Sequence, residues 1–314
     1  MGKVLVVAAT HGNERNAGWL LQGWRRDPTS LSRSGLAVAL TIGNPAAWAE
    51  CRRYLERDLN RSFEPALLAD PARQEWEVRR ARELLADHGA EGREPCLVAL
   101  DLHSTTAAMG NSLVVYGRRP TDLALAAAIQ GQLGLPIYLH EGDPAQTGYL
   151  AERWPCGLVI EVGPVPQGVI TARLCRQSQL ALETSLELLA QARAGRLPQP
   201  RRLVVHRHLG SLDLPRDGDG TPSAVVHPLR QHRDWQPLRP GDPLFLERSG
   251  ATLPYVPPAG LGDAPVWPVF INEAAYGEKG IALGLTRREE WPVDPAWGAA
   301  LVSLAAGLEI EPAG

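Results

Sequence analysis

The feature that most constrains the fold is an alternation of short apolar runs with helical periodicity over the first two thirds of the chain. The predicted strands are almost continuously apolar, as expected for strands covered on both faces, and they span residues 3–9, 36–42, 96–102, 112–116 and 157–162. Helical periodicity lies between them, at residues 14–26, 71–88, 121–133 and 171–193. The second of these helices is predicted to begin with Asp70 as N-cap and Pro71 at its first position. The alternation predicts a mostly parallel or mixed sheet with helices on both faces.

The pattern changes near residue 195. The segment 195–200, with two prolines and a glycine, is typical of a linker. After it come shorter strand-like pieces separated by Pro and Gly turns, at residues 203–208, 224–226, 244–246, 266–271 and 280–285. We therefore predict two domains, an α/β domain over residues 1–198 and a smaller β-rich domain over residues 199–314.

Composition excludes several classes of protein. The chain has 314 residues, is 44% hydrophobic and carries a formal charge of −3, so it has no general attraction for nucleic acid or anionic membranes. No apolar run approaches the ~20 residues that span a bilayer, and the N-terminus lacks a signal-peptide pattern. The four cysteines show no C-x-x-C spacing and are predicted to be scattered reduced thiols. These features predict a cytoplasmic protein.

Polar residues follow the first and third predicted strands, where ligands collect in folds of this kind. His11 and Glu14 come directly after the first strand, and the pair could hold a divalent metal or be a loop histidine and a helix-start acid. His103 ends the third strand and would complete a His, Glu, His set with a fourth position open, a known catalytic zinc arrangement. Asp101 points to the same side of that strand and could orient an imidazole or bind an arginine.

The remaining histidines are weaker candidates for a site. His206 and His208 alternate correctly to share one face of a strand, but no carboxylate lies close to them in sequence. The other four are predicted to be surface residues: His88, His140, His227 and His232.

A charged loop follows the second predicted strand and contains Arg53, Arg57, Asp58, Asn60 and Arg61 within nine residues. Such a cluster can simply be a solvated face. It is also what carboxylate recognition requires, because a guanidinium binds a carboxylate with two hydrogen bonds and an amide adds a directional donor.

Glu161 lies inside an apolar strand, where an unpaired carboxylate is costly. It either pairs with a buried arginine or faces a cavity with a raised pKa, as an acid–base catalyst does. Nearer the C-terminus, Tyr276 and one of only two lysines, Lys279, stand beside two glutamates, which suggests a functional lysine of unassigned role.

Together these stretches resemble the aspartoacylase family, within the wider succinylglutamate desuccinylase and zinc-carboxypeptidase-like group. The resemblance covers nearly the whole chain and rests on the segments 10–14 (THGNE), 58–61 (DLNR), 101–106 (DLHSTT), 160–164 (IEVGP), 166–168 (PQG), 240–243 (PGDP) and 268–276 (PVFINEAAY). It implies an α/β fold, a zinc-carboxypeptidase-like mixed sheet sandwiched by helices. It also implies that the β-rich C-terminal domain caps the active site of the N-terminal catalytic domain.

The resemblance further implies a zinc amidohydrolase that removes the acyl group from a small N-acyl amino acid, with N-acetyl-L-aspartate converted to acetate and L-aspartate as the leading reaction. One Zn²⁺ per subunit would be held by His11, Glu14 and His103. Glu161 would accept a proton from the attacking water and pass it to the leaving amine, while Arg53 would stabilise the oxyanion. The substrate carboxylate would be held by Asn60, Arg61 and Tyr276. A homodimer is common in the family.

The chain departs from the family in one segment, residues 143–153. Aspartoacylases place an arginine there that grips the aspartate side chain, and none stands at the expected spacing in this sequence. Either Arg153 substitutes for it, or Tyr149 and Gln146 line a different pocket. The alternatives to N-acetyl-L-aspartate are therefore N-acyl aromatic or other amino acids, peptides cleaved by a zinc carboxypeptidase, or no substrate in a non-catalytic zinc-binding protein.

Overall fold

A computed structural model describes residues 1–144 and 146–311 of the chain and has the predicted α/β fold. Its strands are β1 (Lys3–Ala8), β2 (Val38–Ile42), β3 (Cys96–Ser104), β4 (Asn111–Tyr116), β5 (Ile137–His140), β6 (Cys156–Val162), β7 (Arg202–Asp213), β8 (Ala224–Val226), β9 (Pro243–Glu247), β10 (Thr252–Pro254), β11 (Trp267–Val269) and β12 (Ile281–Pro292). Its α-helices are α1 (Arg15–Trp24), α2 (Thr29–Ser32), α3 (Pro45–Ala49), α4 (Pro65–Ala69), α5 (Trp76–His88), α6 (Pro120–Leu133), α7 (Ala172–Arg193) and α8 (Pro295–Ala305). Three 3₁₀ turns span Leu59–Arg61, Leu150–Arg153 and Ala274–Lys279.

The main sheet has nine strands in the order β11-β12-β7-β5-β4-β6-β3-β1-β2. Strands β2, β1, β3 and β6 are parallel to one another, so their carboxyl ends lie at one edge of the sheet. Strand β4 runs antiparallel to β6, which makes the sheet mixed. The register pairs His103 of β3 with Glu161 of β6, and this pairing brings two predicted site residues side by side.

Both faces of the sheet are covered, which explains the apolar character of its central strands. In β1, Val4, Val6 and Ala8 pack into a core with residues of α1, α6, α7 and α8. The intervening Leu5 and Val7 pack into a second core that includes Phe63 and Trp154.

The C-terminal part of the chain contributes to both sheets. Strands β7, β11 and β12 extend the main sheet, while β8, β9 and β10 form a separate three-stranded sheet. Strands from both sides of the predicted boundary at residues 198/199 therefore share one sheet, and the division into two domains stays a prediction. Residues 312–314 of the predicted second domain lie outside the described residues.

The predicted start of one helix is wrong. Helix α5 begins at Trp76, whereas Asp70 only closes a turn in which Ala72 N donates to its Oδ1 at 2.9 Å. Tertiary contacts fix the true start, because Trp76 N donates to the carboxylate of Glu56. The sequence patterns also missed the short strands β5 and β10 and the helix α8. Among the described residues, no helix is long and apolar enough to cross a membrane.

Candidate active site

The backbone just after β1 is shaped so that His11 lies at the carboxyl edge of the sheet. Ala9 is fully buried and has a φ of 54°, a left-handed conformation that non-glycine residues rarely adopt. Gly12 packs directly against α3, where a Cβ atom would lie 2.1 Å from the carbonyl carbon of Ala47. Only glycine permits this close approach at position 12.

His11, Glu14 and His103 converge on one point and are all buried. His11 Nδ1 lies 2.6 Å from Glu14 Oε1, and His103 Nδ1 lies 3.0 Å from Glu14 Oε2. Two imidazole nitrogens and one carboxylate form a donor set that suits Zn²⁺ with a fourth position open. The residues present therefore fit the metal that the sequence predicts.

Each histidine of this triad contacts a second carboxylate through its Nε2 atom, on the side of the ring away from Glu14. His11 Nε2 lies 2.9 Å from Asp58 Oδ1, and His103 Nε2 lies 2.8 Å from Asp101 Oδ2. Such pairs fix the ring orientation and keep both Nδ1 atoms turned toward Glu14, on the side where a metal would lie. Of the two roles considered for Asp101, its contact with His103 agrees with orienting an imidazole. The same role of Asp58 was missed, although it lies in the segment 58–61.

Glu14 and His103 shift each other's pKa values. Burial alone would raise the pKa of Glu14, but His11 and His103 outweigh it and hold that pKa well below its usual range. Burial would lower the pKa of His103, but Asp101 and Glu14 outweigh it and raise that pKa. Negative charge gathered around buried imidazoles in this way favours a bound cation.

Glu161 faces the cavity next to the triad. It is 7% exposed, and its Oε1 has no hydrogen-bond partner among the described residues. Burial raises its pKa well above the ordinary value, and the nearby carboxylates of Glu14 and Glu273 add to this, against the opposing charges of His103 and Arg53. Of the two readings left open by the sequence, the structure supports the cavity-facing carboxyl group.

Arg53 adds a cation at the edge of the triad. Its Nη1 lies 3.3 Å from Glu14 Oε1 and its Nη2 lies 3.1 Å from Asp58 Oδ2. It lines the same pocket as the triad and Glu161.

The loop that carries Arg53 is held by Glu77, a fully buried residue of α5 that the sequence patterns did not single out. Its carboxylate accepts hydrogen bonds from the backbone N–H groups of Leu55, at 2.6 Å, and Arg57, at 3.2 Å. The side chain of Arg57 points instead toward Glu75, at 3.7 Å. The charged loop therefore lines the pocket with some of its residues and forms a structural ion pair with another.

Asn60, Arg61 and Tyr276, predicted to hold substrate, all line the pocket. Asn60 Oδ1 accepts from the backbone N–H of Leu150 at 2.8 Å, which ties the charged loop to the turn Leu150–Arg153. Arg61 donates to Gln146 Oε1 at 3.2 Å, and its guanidinium carbon lies 4.2 Å from the centre of the Tyr149 ring.

Aromatic side chains form much of the pocket wall, and the pocket encloses about 570 Å³ of empty space, part of it open to solvent. Tyr116 and Tyr149 stack with their ring centres 3.8 Å apart. The other aromatic residues of the wall are Tyr138, Phe270 and Tyr276. Arg153 is exposed and does not line the pocket, so the expectation that it substitutes for the missing arginine is wrong. The alternative, a different pocket lined by Tyr149 and Gln146, agrees with the structure for Tyr149, whereas Gln146 lines the neighbouring groove.

The C-terminal segment is anchored to the site by Glu273, another residue that the sequence patterns did not assign. Its carboxylate accepts hydrogen bonds from the backbone N–H groups of Thr106, at 2.8 Å, and Ala107, at 3.1 Å, and from the hydroxyls of Thr105 and Thr106. This anchor places Tyr276 in the pocket wall. Lys279, by contrast, is exposed and lines a neighbouring groove.

One surface prediction is wrong. His140 is only 6% exposed and lines the pocket from the end of β5. It was missed because β5 has only four residues and gives little periodicity in the sequence. His88 and His227 are partly exposed and His232 is exposed.

Comparison with known proteins agrees with this geometry. Residues 1–189 match the family model of the succinylglutamate desuccinylase/aspartoacylase catalytic domain, and residues 201–288 match that of the AstE/AspA barrel-sandwich hybrid domain. The chain belongs to the succinylglutamate desuccinylase/aspartoacylase family. This confirms the resemblance inferred from the sequence motifs.

Individual members of the family match almost the whole chain. A protein named "Probable aspartoacylase" from Parasynechococcus marenigrum (strain WH8102) is 60% identical over 301 residues, 96% of this chain and 98% of that protein. Murine aminoacylase 3 is 36% identical with a TM-score of 0.81, covering 93% of this chain and 97% of its own. The succinylglutamate desuccinylase of Vibrio cholerae is 17% identical with a TM-score of 0.60, covering 91% of this chain and 82% of its own, and shows a shared fold alone.

Proposed function

We propose that the chain is a zinc-dependent deacylase that hydrolyses the amide bond of small N-acyl amino acids. The observation that carries this proposal is the convergence of His11, Glu14 and His103 beside the buried carboxyl group of Glu161. Glu161 lines the same pocket, and its Oε1 has no hydrogen-bond partner among the described residues. The names of the relatives, aspartoacylase and aminoacylase, support the same reaction class.

Zinc held by the triad would supply a Lewis acid that lowers the pKa of water to about 7. Glu161 would take a proton from the attacking water and return it to the leaving nitrogen. Arg53, which already balances Glu14 and Asp58, is placed to stabilise negative charge on the former amide oxygen. Asp58 and Asp101 keep the two imidazoles in their metal-binding orientation.

The α-carboxylate of the substrate would be held by Arg61, with Asn60 and Tyr276 beside it. Arg61 is mostly buried, and its stacking on Tyr149 together with its hydrogen bond to Gln146 holds the guanidinium in one orientation. A fixed guanidinium binds a carboxylate with little loss of conformational entropy.

Two substrates remain in competition. N-acetyl-L-aspartate is the substrate expected from the resemblance and from the names of the curated relatives. The pocket wall favours the alternative, an N-acyl aromatic amino acid, because stacked tyrosines and Phe270 form part of this wall. In addition, Arg53 and Arg61 are the only Arg or Lys residues among the described residues that line the pocket. With both arginines engaged, an aspartate side chain would have no cation to replace its lost hydration. The geometry therefore supports the aromatic substrate best.

The ratio of kcat/KM for N-acetyl-L-phenylalanine and N-acetyl-L-aspartate tests this assignment in the purified full chain. We expect the aromatic substrate to be preferred by about 10-fold or more, since an unpaired carboxylate costs at least ~1–3 kcal/mol in such a site. Equal or better hydrolysis of N-acetyl-L-aspartate would overturn the aromatic assignment. Hydrolysis of neither substrate would count against the deacylase itself and favour a peptidase or a zinc-binding protein without activity. A cytoplasmic location and a homodimer stay predictions from the sequence.

A further inference from the structure

A second cluster of possible metal ligands lies on the side of the pocket away from the triad's strands. It consists of His140 at the end of β5, Asp143 three residues later, and His208 on β7. Strands β5 and β7 are parallel neighbours, paired through Leu139 and Arg207, so His140 and His208 follow at the next step of the register. Their ring centres are 4.8 Å apart.

The distances in this cluster suit ligands of one metal ion better than they suit hydrogen bonds. Asp143 Oδ2 lies 3.5 Å from His208 Nε2 and 3.9 Å from His140 Nε2. Zinc–ligand bonds of about 2.0–2.1 Å in a tetrahedron place ligand atoms roughly 3.3–3.5 Å apart. A movement of His140 Nε2 toward Asp143, away from the Tyr149 hydroxyl that lies 3.4 Å from it, would complete such a set.

His208 provides the independent observation that points to a ligand. Its side chain is 5% exposed, yet its Nε2 makes no hydrogen bond among the described residues. Its other ring nitrogen, Nδ1, lies 2.9 Å from the hydroxyl of Tyr138, which fixes the ring with Nε2 toward Asp143. At 3.5 Å from Asp143 Oδ2, Nε2 is beyond the length of a normal hydrogen bond, whereas a ligating imidazole oriented through its second nitrogen is the usual arrangement at a metal.

The surroundings of the other two members are compatible with ligation. Burial lowers the pKa of His140 to about 3, with the charges of His208 and Arg61 acting in the same direction, so that its imidazole is neutral at pH 7. Gln146 Nε2 donates to Asp143 Oδ2 at 3.1 Å and helps to hold the carboxylate. Asp143 and His208 also border an open groove, through which an ion could enter.

We propose that His140, Asp143 and His208 form a second site for a divalent transition metal of the zinc type, separate from the triad His11, Glu14 and His103. Two imidazoles and a carboxylate match the preferences of Zn²⁺ and Co²⁺. The site goes beyond the single zinc per subunit predicted from the sequence. It does not depend on the proposed deacylase reaction, and it would link β5 to β7 beneath the aromatic wall of the pocket.

Metal content tests the proposal directly. Purified full chain, equilibrated with Zn²⁺ at about 10 μM and freed of unbound ion, is expected to contain two zinc ions per chain by mass spectrometry of the metal. Asp143→Asn and His208→Ala are each expected to contain one. His232→Ala, which changes an exposed histidine outside both clusters, is the matched control and should contain two.

Asp143→Asn is expected to fold normally, because Asp143 is partly exposed and asparagine has nearly the same size. Circular dichroism compares the fold of every variant with that of wild type. Zinc content equal in wild type, Asp143→Asn and His208→Ala would overturn the second site. His11→Ala separates the two proposals, since it should lose only the ion of the triad. One ion that depends on His208 but not on His11 would support the second site while contradicting the proposed zinc deacylase.

Discussion

The exchange Glu161→Gln removes one proton acceptor and changes little else. Glutamine has nearly the same size, and because Glu161 Oε1 has no hydrogen-bond partner among the described residues, the amide breaks no bond there. Loss of a positioned acid–base group typically costs ~10²–10⁴ in rate. At 1.36 kcal/mol per factor of ten, this is about 2.7–5.4 kcal/mol of transition-state stabilisation.

Steady-state kinetics on an N-acetyl amino acid measure this loss. We expect kcat to fall by ~10²–10⁴ while KM changes little, because the exchange leaves Arg61 and its neighbours, the proposed carboxylate site, unchanged. Zinc content, measured on the same samples, should be unchanged. A kcat within about threefold of wild type, with zinc bound, would refute the proton-transfer role of Glu161.

The same exchange has a consequence for stability once the metal is removed by a chelator. The pKa of folded Glu161 is raised above its ordinary value of 4.5, mainly by burial, so the folded state keeps a proton that the unfolded state releases. The stability of wild type should therefore fall as pH rises above about 4.5, while glutamine carries no such dependence. Urea unfolding of the chelator-treated proteins measures this. The free energy of unfolding of Glu161→Gln, relative to wild type, should increase from pH 5 to pH 8. A gain that is the same at both pH values would contradict the raised pKa.

Three further exchanges test the other parts of the site. Arg53→Ala should lower kcat by ~10²–10³, since it removes the cation placed at the developing oxyanion, and near-normal kcat would argue against that role. Asp101→Asn should weaken zinc binding by ~10–100-fold in competition with a chelator, because the amide no longer orients His103 as a carboxylate does, and unchanged affinity would contradict the orienting role. Arg61→Ala should raise KM by ~10–100-fold, as expected for the loss of a charged hydrogen bond. The control Arg153→Ala changes an exposed arginine and should leave KM as it is. A larger effect at Arg153 than at Arg61 would reverse the assignment of the carboxylate site.

The clustering of His11, Glu14 and His103 was predictable from sequence because of a simple topological rule. His11 and Glu14 follow β1 and His103 ends β3, and the carboxyl ends of adjacent parallel strands meet at one edge of a sheet. Glu161 stood out because a carboxylate in an apolar strand needs an explanation. Both signals are local in sequence, and the topology needed to combine them follows from the alternation of strands and helices.

The parts that sequence patterns missed depend on contacts between distant segments. Glu77 holds a loop about 20 residues before it, and Glu273 binds backbone groups 166 and 167 residues away. Helix α5 begins at Trp76, whose backbone N–H donates to the carboxylate of Glu56, whereas the sequence pattern predicted a start at Asp70. His140 is buried only because β5 is inserted between two longer stretches of sheet. No periodicity or capping rule contains this information.

The central claim, a deacylase that depends on zinc, is tested most directly by the rate of acetate release as a function of bound zinc. Treatment with a chelator should abolish the activity. Stepwise addition of Zn²⁺ should then restore the activity in proportion to the ion bound at His11, Glu14 and His103. The variant His208→Ala isolates this site from the second one. Full turnover by protein from which the zinc has been removed would contradict the account.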